Sequence, residues 1–142
     1  MLLFRSPSPR SFSLGLAVLR IAAAAVFINH GYQKVFGFGF AGVTGAFTHM
    51  GVPLPGVTGP LIGVLEFFGG IALLLGFLTR PLALAFACDM LGAILFVQLK
   101  NGFSHFELEF MLLGSSAALF FTGAGRFSVD ALIAGRSEPR IG

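Results

Sequence analysis

Four long runs of apolar residues, each broken by only a few polar positions, dominate the sequence. They cover about residues 14–31, 60–78, 81–99 and 108–122. A helix needs about 20 mostly apolar residues to cross the hydrocarbon core of a bilayer, and the strict alternation that marks barrel strands is missing from the sequence. The pattern predicts an all-α fold, an integral membrane four-helix bundle in a single domain over residues 1–142.

The connections between these runs differ in length. Only residues 79–81 separate the second run from the third, which predicts a tight hairpin with Pro81 at the first helical position, where its missing N–H costs nothing. Segment 32–59 is rich in Gly, Phe and Pro and is too apolar for a solvated loop. We expect this interfacial loop to lie at the membrane surface or against the bundle, with a short helix near 43–50 and an extended turn at 52–56.

Composition excludes the soluble classes of protein. Hydrophobic residues make up 56% of the chain and charged residues 11%, whereas a soluble domain carries about 25% charged residues. The net charge of +3 comes without a basic run, so we expect the lipid bilayer and no nucleic acid as partner. The one cysteine, Cys88, excludes an intramolecular disulfide and a Cys-x-x-Cys redox pair.

The basic residues predict the orientation. With four spans both termini share one side, which holds six arginines, while the opposite side holds two lysines. These are Arg5, Arg10, Arg80, Arg126, Arg136 and Arg140 against Lys34 and Lys100. Because cytoplasmic loops are enriched in Lys and Arg, we expect cytoplasmic termini in a multi-pass protein of a bacterial inner (plasma) membrane. A signal peptide is the competing interpretation of the N-terminus, which Arg20 inside the apolar run disfavours.

Several of the few charges fall inside the predicted spans. Arg20 lies in the first, Glu66 in the second and Asp89 in the third, each at an insertion cost of roughly 2.5–3.5 kcal/mol. Small residues three or four positions away place both acids on helix-packing faces. We expect a midplane layer in which Arg20 pairs with Asp89, Glu66 or both. One acid would then lack a cation, which suits proton transfer or a polar ligand, although a purely structural ion pair is the competing interpretation.

A second polar layer is expected near the outer ends of the spans. Glu107 and Glu109 lie about 200° apart around a helix, so only one of them can face the bundle. The sequence does not decide between the two. The expected members are His30, Lys34 and one of these glutamates, with His105 and Asn101 as further candidates. Gln33 and Gln98 could add hydrogen bonds there.

The ordered motifs along the chain resemble those of a known family. They are Leu19-Arg20, HGxQK at 30–34, GVPLP at 51–55, ExxGG at 66–70, LLLGFLTRPLAL at 73–84, NGF at 101–103 and GAGRFSVDALI at 123–133. Over about residues 14–133 the chain resembles the DoxX family of small four-span membrane proteins. The resemblance implies a role in a membrane redox complex, since the family is named for a membrane subunit of a thiosulfate:quinone oxidoreductase.

The polar residues and the resemblance together predict a quinone-linked oxidoreductase or the membrane subunit of a redox complex. Glu66 and His30 are the candidate catalytic residues, because they can exchange protons. The candidate ligand-binding residues are Arg20, Gln33, Lys34, Asp89, Asn101, Glu107 and Glu109. The ligand would be the head group of a quinone or a small anion. The sequence carries no haem, flavin or iron–sulfur motif, and we expect no metal.

Two other functions stay open at this point. The chain could be a non-catalytic anchor for a soluble redox enzyme, or a small proton-coupled transporter. Small multidrug exporters of this size carry a glutamate in the first span, where this chain has Arg20, and no inverted repeat is visible. The small-residue packing faces would also permit a homo-oligomer.

Overall fold

Helix α1 (Pro9–Tyr32) opens the fold in the computed structural model, which describes residues 6–137. Ser8 caps α1 by accepting a hydrogen bond from the Ser11 N–H, and Pro9 occupies the first turn, where a missing N–H is harmless. The helix continues through a π-helical turn, Gln33–Gly37. The whole apolar segment covers 29 residues and is therefore longer at both ends than the predicted span 14–31.

Most of the segment that was predicted to be a loop is helical. Helix α2 (Gly39–Met50) contains the short helix expected near residues 43–50 and begins four residues earlier. Left-handed glycines flank it, with φ of +67° at Gly39 and +75° at Gly51, a conformation that side chains disfavour. Val43 is the one buried residue of α2, so this helix lies on the periphery of the bundle.

The second apolar run begins earlier than predicted. Helix α3 (Pro55–Val64) passes through a π-helical turn, Leu65–Gly69, into α4 (Gly70–Leu75). The predicted extended turn at 52–56 therefore ends at residue 54, because Pro55 rather than Pro60 occupies the first turn.

The tight hairpin between the second and third runs is confirmed, with Gly76 in the left-handed conformation at its start. Helix α5 (Thr79–Ala93) begins two residues before Pro81, which still lies in the first turn, where its N–H would have no partner within the helix. The helix continues through a π-helical turn, Ile94–Gln98, and a 3₁₀ turn, Leu99–Asn101.

The last two helices complete the described part of the chain, in which no strand occurs. A 3₁₀ turn, Phe103–His105, precedes α6 (Glu107–Thr122), which matches the fourth predicted span, and α7 (Val129–Ser137) follows. Helix α6 has 16 residues and a length of about 24 Å, which is less than the roughly 30 Å of a hydrocarbon core.

Three helical segments in residues 6–137 are long and apolar enough to cross a membrane. They are Pro9–Gly37, Pro55–Leu75 and Thr79–Asn101. The fourth span and the cytoplasmic termini stay predictions. Of the arginines used for the orientation, Arg5 and Arg140 lie outside the described residues.

The core lies between α1, α4, α5 and α6. At its centre the rings of Phe27 and Phe86 stack with 3.8 Å between their centroids, and both side chains are buried. Helix α1 packs closely on the α3–α4 segment through two glycines, because Gly31 lies against the backbone of Phe67 and Gly70 against Ile28. Many Phe and Leu side chains are exposed on the outer surface, as expected for a surface that faces lipid.

Arg20 lies at the end of the bundle that holds the 76–78 hairpin, and this corrects the predicted midplane layer. Its Nη1 donates to the carbonyl oxygen of Ala124 and its Nη2 to that of Phe127, both at 2.7 Å. Among the described residues it forms no salt bridge with Glu66 or Asp89. The reason is that the segment after α6 folds back over the hairpin, so that backbone carbonyls surround the guanidinium.

Candidate functional site

A cavity of about 550 Å³ lies between α1, α2, α3, α5 and α6. This volume is within the range of about 300–1,000 Å³ that is usual for small-molecule sites. Its walls are mostly apolar and include Phe47, Met50, Ile62, Phe96 and Leu112. Its polar side chains include His30, Lys34, Glu66, Asp89, Gln98 and Glu109. The cavity therefore unites candidate residues that the sequence had assigned to two separate layers.

The ion pair of Lys34 Nζ with Glu66 Oε2 is the centre of the polar cluster. The Glu66 side chain is 3% exposed and that of Lys34 is 21% exposed, so the acid is buried and the ammonium borders the cavity. Both residues lie on π-helical turns, which are often found at functional sites. A buried acid on a helix-packing face was predicted for Glu66, but its partner is Lys34 and not Arg20.

Asp89 approaches this ion pair from α5. It lies close enough to Glu66 for a direct electrostatic interaction, and Lys34 acts on it through its charge. Asp89 Oδ2 is buried and has no hydrogen-bond donor among residues 6–137. Because ionised carboxylates only accept hydrogen bonds, Glu66 cannot supply that donor while both acids are charged. Two carboxyl groups thus share one ammonium group.

His30 and Glu109 also line the cavity, and both are partly exposed. The structure decides between the two glutamates at the start of α6, because Glu109 lines the cavity whereas Glu107 is exposed and does not. The opposite faces of a helix explain this difference, since residues two positions apart point about 200° apart.

Four further polar candidates are not part of the cavity lining. Gln33 precedes Lys34 on the same turn and is exposed, because neighbouring helical residues point in different directions. Asn101 ends the 3₁₀ turn after α5 and His105 ends the next one, and both are exposed. Arg20 lies at the hairpin end of the bundle, away from the cavity lining.

Several cavity residues had no functional role in the sequence analysis. Cys88 lines the cavity beside Asp89, and Thr58 lines it from α3. The hydroxyl of Thr58 donates to the carbonyl oxygens of Pro53 and Leu54, at 3.0 Å each. The Phe47 and Met50 side chains reach the cavity from α2. No sequence pattern marked Phe47 and Met50, because their position depends on how segment 39–54 packs against the bundle.

Comparison with known proteins places these features in a family. The sequence profile of the DoxX family matches residues 15–99, more than half of the chain. The inner membrane protein YqjF of Escherichia coli is 38% identical over 124 residues, which cover 84% of this chain and 92% of YqjF. "Putative oxidoreductase CatD" of Bacillus subtilis is 31% identical over 126 residues, which cover 87% and 90% of the two chains.

A second inner membrane protein of Escherichia coli, YphA, is 29% identical over 124 residues, which cover 81% of this chain and 87% of YphA. No solved structure is significantly similar to the chain. The matched region contains Lys34, Glu66 and Asp89, and the long apolar helices agree with the membrane location of the relatives. The chain is a multi-pass membrane protein that belongs to the DoxX family.

Proposed function

We propose that the chain is a membrane oxidoreductase, or the membrane subunit of one, that binds the head group of a quinone in the cavity. The observation that carries this proposal is that one cavity combines apolar walls with the buried cluster of Lys34, Glu66 and Asp89. An apolar cavity with a few converging polar groups is the usual form of a small-molecule site. The name of one relative, "Putative oxidoreductase CatD", supports the class of reaction.

The cavity residues fit a flat, hydrophobic ring with polar oxygen atoms at its edge. Phe47 and Phe96 offer aromatic surface for such a ring, and Met50 and Met90 offer flexible side chains that adapt to its shape. The Lys34 ammonium carries three donors, of which Glu66 accepts one. The other two can reach into the cavity toward a ligand oxygen. Glu66 thus positions the donor, and the apolar walls hold the ring.

A bound quinone would supply reversible two-electron, two-proton chemistry at this place. The chain itself would contribute hydrogen bonds from Lys34 and proton exchange at the Glu66–Asp89 pair. His30 and Glu109 are partly exposed residues of the same cavity and are suited to pass protons between this pair and water. Electrons would come from a soluble redox enzyme, the partner class that the sequence suggested.

Direct binding measurements test this proposal. The protein is purified in mild detergent, co-purified quinones are identified by mass spectrometry, and a short-chain quinone is titrated by calorimetry. We expect one quinone per chain. Lys34→Gln removes the ammonium donor, and Glu66→Gln removes the carboxylate that orients it. Each should weaken quinone binding at least about tenfold, which corresponds to about 1.4 kcal/mol.

Matched control variants are available on exposed positions outside the cavity lining. Lys100→Gln removes a lysine from the turn after α5, and Glu107→Gln removes a glutamate from the first turn of α6. Both should bind quinone like the wild type. A protein that binds no quinone but retains a soluble redox enzyme would be an anchor instead. Proton-coupled uptake of a solute into liposomes without quinone binding would identify a transporter.

A further inference from the structure

We infer that Glu66 and Asp89 share a single proton, so that the buried cluster of Lys34, Glu66 and Asp89 carries no net charge and suits an uncharged ligand rather than an anion. The assignment of the ligand class deepens the proposed function and rests on it. The shared proton rests on the interaction between the two acids and on the buried Asp89 Oδ2 atom that no donor reaches from the described residues. This inference decides between the two ligands that the sequence left open, a quinone head group and a small anion.

The hydrogen bonds of Asp89 provide the first argument. Its Oδ2 atom is buried, and no donor reaches it from the described residues. A buried acceptor without a donor is costly, and such groups are rare in folded proteins. Glu66 lies within direct interaction distance. If one of the two carboxyl groups carries a proton, it becomes a donor to the other and removes the deficit.

The charges around the pair provide the second argument. Lys34 is the cation in contact with Glu66, and it acts on Asp89 as well. One ammonium balances one carboxylate, and two adjacent carboxylates in a low-dielectric site repel each other. One retained proton leaves one positive and one negative charge. Such a pair behaves as a unit, so the proton belongs to both residues rather than to one of them.

The other titratable groups of the cavity do not supply the missing donor. His30 faces it from α1, Cys88 from α5 and Glu109 from α6, while α2 and α3 contribute apolar residues and Thr58. The Thr58 hydroxyl already donates to the carbonyl groups of Pro53 and Leu54. Among the residues described, none of these side chains donates to Asp89 Oδ2. The proton between the two acids is thus the donor that this chain can provide.

A neutral site favours a neutral ligand. The free Lys34 donors can bind a carbonyl oxygen without adding a net charge to the cluster of Lys34, Glu66 and Asp89, whereas an anion would add an uncompensated negative charge next to the carboxyl pair. A quinone carbonyl meets this requirement, and a small anion does not. The geometry thus assigns the site to an uncharged ring compound that accepts hydrogen bonds.

Infrared spectroscopy tests the shared proton without any ligand. Wild-type protein at neutral pH, in nanodiscs, should show the carbonyl-stretch band of a protonated carboxylic acid, with a shift to lower frequency in D₂O. Asp89→Asn and Glu66→Gln should each abolish the band, because the remaining acid then pairs with Lys34 as a carboxylate. Glu107→Gln, which changes an exposed acid, should leave the band unchanged.

A conservative substitution separates the proton from a merely structural contact. Asp89→Asn imitates the protonated acid, because its amide is a donor to Glu66, so its unfolding temperature should stay near the wild-type value. Asp89→Leu supplies no donor and should lower the unfolding temperature by several degrees. Wild-type protein should bind a neutral quinone at least about tenfold more tightly than its sulfonated, anionic derivative.

Each outcome supports or overturns one part of the inference. The shared proton is overturned if the wild-type protein lacks the acid band, a result that does not depend on the folding of any variant. It is also overturned if the band persists in both Asp89→Asn and Glu66→Gln. Preferential binding of the anionic derivative overturns the ligand class. A protein that shows the band but binds no quinone keeps the shared proton and contradicts the proposed function alone.

Discussion

Gly31 of α1 lies directly against the backbone of Phe67, the residue that follows Glu66. A methyl group on Gly31 would overlap backbone atoms of Phe67 and Glu66, which cannot move aside as a flexible side chain can. This contact brings the Gln33–Gly37 and Leu65–Gly69 turns together. The pairing of Lys34 with Glu66 thus depends on a position without a side chain, three residues before the lysine.

Replacement of Gly31 by alanine should separate these two turns. We expect Gly31→Ala to destabilise the protein by roughly 1–3 kcal/mol, the usual cost of overpacking a tight contact, and to weaken quinone binding because Lys34 moves away from Glu66. Thermal unfolding in detergent and calorimetric titration measure the two effects. Gly15→Ala is the control in the same helix, since a methyl group there meets no atom within 4 Å. Equal behaviour of both variants would contradict the role of this contact.

Removal of the Arg20 guanidinium should loosen the segment between α6 and α7. Arg20→Gln loses two hydrogen bonds to the carbonyl groups of Ala124 and Phe127, and each hydrogen bond to a charged group contributes about 1.5–3 kcal/mol. We expect faster amide hydrogen exchange in residues 123–137 and a lower unfolding temperature, with quinone affinity close to that of the wild type. Arg126→Gln, at an exposed position of the same segment, serves as the control. A large loss of quinone binding in Arg20→Gln would place this residue at the site after all.

The carboxylate of Asp130 should stabilise the start of α5. It accepts hydrogen bonds from the N–H groups of Leu78 and Thr79, at 2.8 and 2.9 Å, and it therefore supplies a helix cap from a distant part of the chain. Asp130→Ala should cost about 0.5–2 kcal/mol, the usual range for loss of an N-terminal cap. Asp130→Asn, with one acceptor oxygen, should fall between the alanine variant and the wild type. Unchanged exchange protection of the Leu78 and Thr79 amides in Asp130→Ala would refute the cap.

A larger side chain at Gly92 should fill the cavity without disturbing the fold. Gly92 lines the cavity, and a Cβ atom there would meet no neighbour within 4 Å. Gly92→Leu also improves helix propensity by up to about 1 kcal/mol, so we expect an unfolding temperature no lower than that of the wild type. Quinone binding should weaken by at least about tenfold. The matched control is Gly114→Leu on α6, where the same addition has equal space outside this cavity. Full quinone affinity in Gly92→Leu would show that the ligand binds elsewhere.

The burial of Glu66 shows what helical periodicity could predict. Gly63, Gly69 and Gly70 lie three or four positions from Glu66, and in the structure Gly69 and Gly70 pack against neighbouring helices. Small residues mark such contacts because they let two backbones approach. The hairpin was equally predictable, since only a few residues separate two apolar runs.

The partner of each charge could not be predicted in the same way. Arg20 was expected to pair with Glu66 or Asp89, but its hydrogen-bond partners are backbone carbonyl groups more than a hundred residues later in the chain. Because every residue has a carbonyl group, the sequence does not show which one is the partner. The π-helical turns at Lys34 and Glu66 change the direction of the side chains that follow them, which a regular period of 3.6 residues does not anticipate.

The sequence by itself determined that the protein lies in a membrane and that it is built from apolar helices. The reason is that the hydrophobic effect depends on composition and periodicity, which can be read locally along the chain. It also identified the charged residues that lie within apolar runs. Only the tertiary structure decided that Lys34 and not Arg20 neutralises Glu66, that Asp89 joins them, and that Glu109 rather than Glu107 faces the cavity. These relationships depend on the depth and rotation at which separate helices pack, and close contacts such as the one between Gly31 and Phe67 fix that packing.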